Sequence, residues 1–235
     1  MSIVSLYVFP INIDLKFIDI IGIDLPIPIL EKALRFRKIV DQNNYLAARW
    51  ILYTLAQQIG INHSFGDFSI EKNKKPYISG FPSFNISHCN GLVVVAVSDN
   101  TIGVDVENIN RLFQLENFIQ IFSSQEISDI EAYGAKAFFH YWTIKEAVLK
   151  CTGEGLAKLS TLQQINQKGA NIVTHNYQDF NFESFILSNS YVVSCVTSFR
   201  DGNFQTFKFF KCGIDSNGEL VIEDDEYQLD KFQFQ

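Results

Sequence analysis

Two stretches decide how the second half of this chain folds. The first is Ile102-Gly103-Val104-Asp105-Val106-Glu107. The second is Phe138-Phe139-His140-Tyr141-Trp142-Thr143-Ile144-Lys145-Glu146-Ala147-Val148-Leu149-Lys150. The first alternates apolar and acidic residues, the pattern of a strand, so Asp105 and Glu107 share one face and Val104 and Val106 the other. Their Cα atoms then lie roughly 6–7 Å apart. Two like charges at that separation raise each other's pKa unless a cation sits between them. The second stretch has helical period. Phe138, Tyr141, Trp142, Val148 and Leu149 suit a buried stripe, and Glu146 and Lys150 stack one turn apart. Taken alone, an acid-x-acid strand is commonly a solvated face, and a Glu-Lys pair at this spacing a surface ion pair. If the helix face looks at the strand, however, Asp105, Glu107 and Glu146 converge. Three hard oxygen donors without His or Cys suit Mg²⁺ or Mn²⁺, not zinc.

Further motifs occur in order with these. They are Phe84-Asn85-Ile86-Ser87-His88, Gly103-Val104-Asp105-Val106-Glu107, Trp142-Thr143-Ile144-Lys145-Glu146-Ala147, then Lys150 and Gly153-Glu154-Gly155-Leu156. As a set they resemble the 4′-phosphopantetheinyl transferase superfamily, in its longer, monomeric surfactin-synthetase-activating type. The resemblance is dense from Lys75 to Leu156, thinner from Lys32 to Arg49, and weak beyond about Leu162. It implies an α+β fold of two similar α/β halves related by a pseudo-twofold axis. Each half would be a small, mainly antiparallel sheet packed by helices, with the active site at their interface. Residues 1–100 would form the half contacting the 3′-phosphate and nucleotide of coenzyme A. Residues 101–235 would form the half with the metal site and transferase motifs.

Composition sets bounds that agree. The chain has 235 residues, 47% of them hydrophobic and 19% charged, so a packed core is expected and disorder is not. No apolar run reaches a membrane span. Met1-Ser2-Ile3-Val4-Ser5-Leu6-Tyr7 has no basic n-region of a signal peptide, so a cytoplasmic protein is expected. A net charge of −7 argues against a general nucleic-acid binder. The four cysteines, Cys89, Cys151, Cys195 and Cys212, lack metal-clip spacing and read as reduced thiols.

In the first half, Ile3 to Phe9 reads as a strand, and Pro10, Pro26 and Pro28 punctuate the connection after it. Helices are expected over Glu31 to Val40, with Lys32, Arg35, Arg37 and Lys38, and over about Asn43 to Ile59, with Arg49. The basic cluster reads equally as a solvated face or an anion grip. The resemblance implies the second, with Lys32 and Arg49 on the 3′-phosphate. Asn44 stands where some members carry an arginine, a departure. Lys75, after Lys74 in place of the usual glycine, would approach the nucleotide; otherwise it is a solvent-exposed turn lysine. By resemblance Ser87 and His88 contact coenzyme A phosphates. Ser123 and Glu126 have capping-box spacing, and short helices are expected over Asn117 to Phe122 and Glu126 to Tyr133 before a long one over about Ala135 to Cys151. The family uses that intervening stretch to receive a carrier protein. Strands over Phe180 to Leu187, Tyr191 to Ser198, Phe204 to Phe210 and Leu220 to Ile222 are expected to complete the second half's sheet. The tail beyond Glu223 reads as polar, acidic and loosely held.

The resemblance implies transfer of the phosphopantetheine arm of coenzyme A to a serine of an apo acyl or peptidyl carrier protein, releasing adenosine 3′,5′-bisphosphate. Asp105, Glu107 and Glu146 would hold Mg²⁺ or Mn²⁺. Lys150 would neutralise the diphosphate, and Lys145 would do the same or pair with an acid. The base is Glu146, directly or through a metal-bound water, with His88 the alternative to its role of orienting the phosphate. Partners would be coenzyme A and the carrier, with no nucleic acid and no membrane. Two other readings stand beside this one: a metal-dependent phosphodiesterase or nuclease, and a non-catalytic binder of coenzyme A or of a carrier protein.

Overall fold

A computed structural model describes residues 3–12, 16–21, 25–61, 69–70, 75–155, 166–167, 171–198, 206–224 and 230–232. In chain order its elements begin with β1 (Ile3–Pro10), α1 (Phe17–Ile21), α2 (Ile27–Ala33), α3 (Ile39–Gln58), β2 (Ser69–Ile70), β3 (Pro76–Tyr77), β4 (Ser83–Cys89), β5 (Leu92–Ser98) and β6 (Ile102–Asn108). Two short 3₁₀ turns, Leu115–Asn117 and Ile119–Ile121, lead to α4 (Ser124–Tyr133) and α5 (Ala135–Thr152). Next come β7 (Asn166–Gln167), β8 (Ile172–His175), β9 (Gln178–Leu187), β10 (Tyr191–Ser198), β11 (Thr206–Ile214), β12 (Leu220–Asp224) and β13 (Asp230–Lys231). Among the described residues the fold is α+β, two larger, mainly antiparallel sheets packed by helices, as expected, with β2 and β3 a separate antiparallel pair. Lys74, Leu156, Asp201-Gly202-Asn203, where turn residues lead one to expect a turn, and residues 225–229 and 233–235 of the tail lie outside the described residues.

The chain divides into two compact units. The first is Met1–Asp99 with Gln205–Tyr227. Its sheet runs β12-β11-β1-β5-β4, with β1 parallel to β11 and the other pairs antiparallel. This corrects the expected membership of the last two strands. The strands over Thr206–Ile214 and Leu220–Asp224 do not complete the second half's sheet but join β1. Alternation within a strand says which faces are apolar but not which partner lies beside it. The core of this unit lies between sheet and helices, with Phe9, Phe84, Val93 and Val95 against Trp50, Ile51 and Leu52 of α3. The helices also begin earlier than expected. Pro28 stands in the first turn of α2, where its missing N–H has no intrahelical partner to lose. That helix ends at Ala33, so Arg35, Arg37 and Lys38 lie in an exposed connection, not on a helix face.

The second unit is Asn100–Phe204 with Gln228–Gln235. Its sheet runs β6-β10-β9-β8-β7, and β13 adds to β9. Helix α5 covers this sheet, and its Phe138, Phe139, Ile144 and Val148 form a core with Phe180, Phe182 and Val196. The capping box at Ser123 is present: Glu126 N–H donates to Ser123 Oγ at 3.3 Å, and Ser123 N–H donates to Glu126 Oε2 at 2.7 Å. Gly153, at φ 76°, closes α5, and its N–H donates to Leu149 O at 2.9 Å. The stretch expected as a helix over Asn117 to Phe122 folds as the two 3₁₀ turns. Of the tail, Phe232 N–H donates to Ser184 O at 3.1 Å and its ring stacks on His140 at 3.7 Å, so this part is docked, not loose. No helix among the described residues is long and apolar enough to cross a membrane.

Candidate functional site

In the second unit, the site starts from a missing side chain. A Cβ built on Gly103 would lie 2.0 Å from Ala147 O and 2.5 Å from Cys151 N. The α5 backbone therefore rests directly on β6 at this residue. By the period of two, Asp105 and Glu107 project on the same side as Gly103. By the period of 3.6, Glu146 and Lys150 flank the contact on the helix. The close approach is what lets strand and helix acids meet. A glycine inside a strand pattern signals a close approach of some kind, but not which element approaches.

The electrostatics arise from the crowding. Asp105 is 6% exposed and Glu146 also 6%. Burial, then Asp105, then Glu107 push the Glu146 carboxyl up to about 7, against the pull of Lys150. Glu107 is raised as well, by burial first and Asp105 second, with Arg111 and Lys150 pulling it down. Arg111 Nη1 donates to Glu107 Oε2 at 3.3 Å. Glu146 Oε1 is buried and has no hydrogen-bond partner among the described residues. The three acids thus feel one another, as the spacing predicts. Among the described residues, however, no group of three His, Cys, Asp or Glu side chains forms a cluster that can hold an ion as placed. Lys150 is the cation between them: its Nζ donates to Asp105 Oδ1 at 2.6 Å and to Val104 O at 3.2 Å.

Lys145 takes the second of its two expected roles. Its Nζ lies 3.0 Å from Glu126 Oε1, and its side chain is only 2% exposed. Glu126 therefore serves both the capping box and this ion pair. Burial lowers the Lys145 pKa, and Glu126 opposes that. An ammonium held this way is a structural cation, which corrects its place among coenzyme A contacts.

In the first unit, Lys32 and Arg49 do come together. Arg49 Cζ stands 4.0 Å, and Lys32 Nζ 5.7 Å, from the centroid of the Tyr45 ring. Phe36 packs against the same ring at 5.2 Å. No local pattern in the sequence marks Tyr45, because it lies on α3 while Lys32 and Phe36 come from the preceding segment. Ser87 and His88 are adjacent on β4 and so project to opposite faces. Ser87 is buried and His88 exposed, so they do not form one outward pair. His88 Nδ1 is instead joined to the buried Asn44 amide at 3.3 Å. Lys75 is buried, not the exposed turn lysine of the alternative reading. None of the four cysteines is in a disulfide.

Residues 101–196 match the family model described as the 4′-phosphopantetheinyl transferase superfamily. The chain is 33% identical over 132 residues to the 4′-phosphopantetheinyl transferase psf-1 of Bacillus pumilus, covering 53% of this chain and 56% of the relative. It is 32% identical over 147 residues to the 4′-phosphopantetheinyl transferase HetI of Nostoc sp., covering 57% and 62%. It is 31% identical over 134 residues to the 4′-phosphopantetheinyl transferase Sfp of Bacillus subtilis, covering 54% and 59%. The matches thus span between half and two thirds of each relative. The resemblance read from the motifs is borne out by these matches.

Proposed function

We propose, on the premise that residues 101–196 match the 4′-phosphopantetheinyl transferase superfamily, that this protein moves the phosphopantetheine arm of coenzyme A onto a serine of an apo acyl or peptidyl carrier protein. The observation that carries the reading is Glu146. A carboxyl buried beside two other acids, with one oxygen unpartnered and its pKa raised to about 7, is a group that awaits a cation or a proton.

The chemistry of the donors, though not their placement among the described residues, suits a divalent ion. Asp105, Glu107 and Glu146 offer only hard oxygens, and the unpartnered Glu146 oxygen is available. These three would hold Mg²⁺ or Mn²⁺, which supplies neutralisation and polarisation of the diphosphate when bound. The carrier serine oxygen attacks the phosphorus on the pantetheine side. The bond from that phosphorus to the bridging oxygen breaks, and adenosine 3′,5′-bisphosphate leaves with it. Glu146, directly or through a metal-bound water, would accept the serine proton. Lys150, 2.6 Å from Asp105 Oδ1, would stabilise negative charge developing beside that carboxylate. Lys32 and Arg49, gathered on Tyr45, would take the 3′-phosphate, and Lys75 and His88 would take the rest of the coenzyme A anion. The same reading places the protein in the cytoplasm, acting as a monomer.

The test is direct. The protein, coenzyme A, Mg²⁺ and a panel of apo carriers are incubated and the carriers weighed. One carrier serine gaining a phosphopantetheine arm is expected. Asp105→Ala and Glu146→Ala should abolish the gain, and Lys150→Ala should reduce it less. No gain on any carrier, or full activity in either carboxylate variant, would overturn the proposal.

A further inference from the structure

Three hydroxyls lie in a chain between α5 and the sheet beneath it. Thr143 Oγ1 is 3.1 Å from His140 O and 2.7 Å from Ser194 Oγ, and Ser194 Oγ is 2.8 Å from Ser184 Oγ. Thr143 and Ser194 are fully buried and Ser184 is 5% exposed. Proton counting sets the direction. A carbonyl only accepts, so Thr143 donates to His140 O. Its oxygen then accepts from Ser194, and Ser194 accepts from Ser184. Every hydroxyl proton in the chain is used once, and the chain runs from β9 through β10 into the helix.

Its position gives it a consequence. Ser194 is the cross-strand partner of Asp105 and shares its face of the sheet. Thr143 lies one turn before Glu146 on α5. One and two turns after Thr143, the helix backbone at Ala147 and Cys151 rests on Gly103. Glu146 is therefore held between two anchors. One is the hydroxyl bond to the strand that neighbours Asp105; the other is the glycine contact on the strand that carries it.

We infer that Thr143 is a positioning residue for Glu146: with Ser194 it pins α5 to β10 so that the Glu146 carboxylate stands at a fixed height over Asp105. This rests on the transferase reading. Thr143→Val keeps the shape but removes the acceptor for the Ser194 proton. The helix loses its anchor on one side of Glu146, and small misplacements of a reacting group cost rate steeply.

The test compares Thr143→Val, Thr143→Ser, Ser194→Ala and Ser184→Ala in the full chain. Thr143→Val should lower kcat about tenfold or more, with KM for coenzyme A unchanged. It should also weaken Mn²⁺ binding followed by electron paramagnetic resonance, a readout independent of turnover. Thr143→Ser should restore both. Ser184→Ala removes only the outermost donor and should leave both near wild type. If Thr143→Val does not fold, Ser194→Ala, which breaks the same link from the sheet side, carries the test. Wild-type kcat in a folded Thr143→Val or Ser194→Ala protein would overturn the inference, as would Thr143→Ser being as impaired as Thr143→Val. An inactive wild-type protein would instead overturn the transferase reading.

Discussion

Replacing Glu146 by Gln tests the electrostatics of the site without reference to any substrate. In the folded, metal-free protein this carboxyl titrates at about 7 in place of 4.5, because burial and then Asp105 disfavour its charge. Between those values the folded state holds a proton that the unfolded state has released. Stability then falls as pH rises, in a window from about 4.5 to 7. At 1.36 kcal/mol per decade of proton affinity the full loss is roughly 2–3 kcal/mol, allowing for partial contact with solvent. Gln has the shape of the protonated acid and cannot ionise. The variant and wild type should therefore melt together near pH 4.5 in EDTA. At pH 8 the variant should melt about 4–12 °C higher, at about 2–4 °C per kcal/mol for a chain of this size. Adding Mg²⁺ should raise wild type toward the variant and leave the variant unmoved, because the ion replaces the missing proton. Thermal unfolding by circular dichroism at several pH values reads all of this. Parallel pH curves for the two proteins would refute the reasoning, as would an equal Mg²⁺ effect on both.

Gly103→Ala should force α5 off β6, because its Cβ would meet Ala147 O at 2.0 Å. A loss of about 1–3 kcal/mol in urea unfolding is expected, with transfer falling further than stability alone explains. Glu126→Gln leaves the buried Lys145 ammonium without its countercharge, and urea unfolding should show a loss of about 3–5 kcal/mol. Lys32→Ala and Arg49→Ala should each raise KM for coenzyme A about tenfold. Neither should change KM for coenzyme A lacking its 3′-phosphate, as steady-state kinetics with the two substrates will check.

The candidate site was partly legible because its local grammar is short-ranged. The alternation of Ile102 to Glu107 and the one-turn spacing of Glu146 and Lys150 concern residues a few positions apart. The same holds for the Ser123–Glu126 box. In each case backbone period alone places the side chains. Ser87 and His88 show the other limit. Grouping them as one phosphate-facing pair set the motif above the strand period, and that period sends neighbours to opposite faces. Lys145 shows a third. Its neighbours in sequence leave open whether it meets an anion or an acid, and the answer depends on where α4 lies against α5.

By itself, then, the sequence determined the identity of the main strands and helices, the acidic strand and the family that residues 101–196 match. Those features come from periodicity and residue chemistry within a few turns of chain. Tertiary structure alone decided that β11 and β12 pair beside β1, that a bare glycine brings α5 onto β6, and that Lys150 stands between the acids. Each of these joins residues far apart in sequence. Such contacts are chosen by how whole faces pack, and no local pattern of residues contains that information.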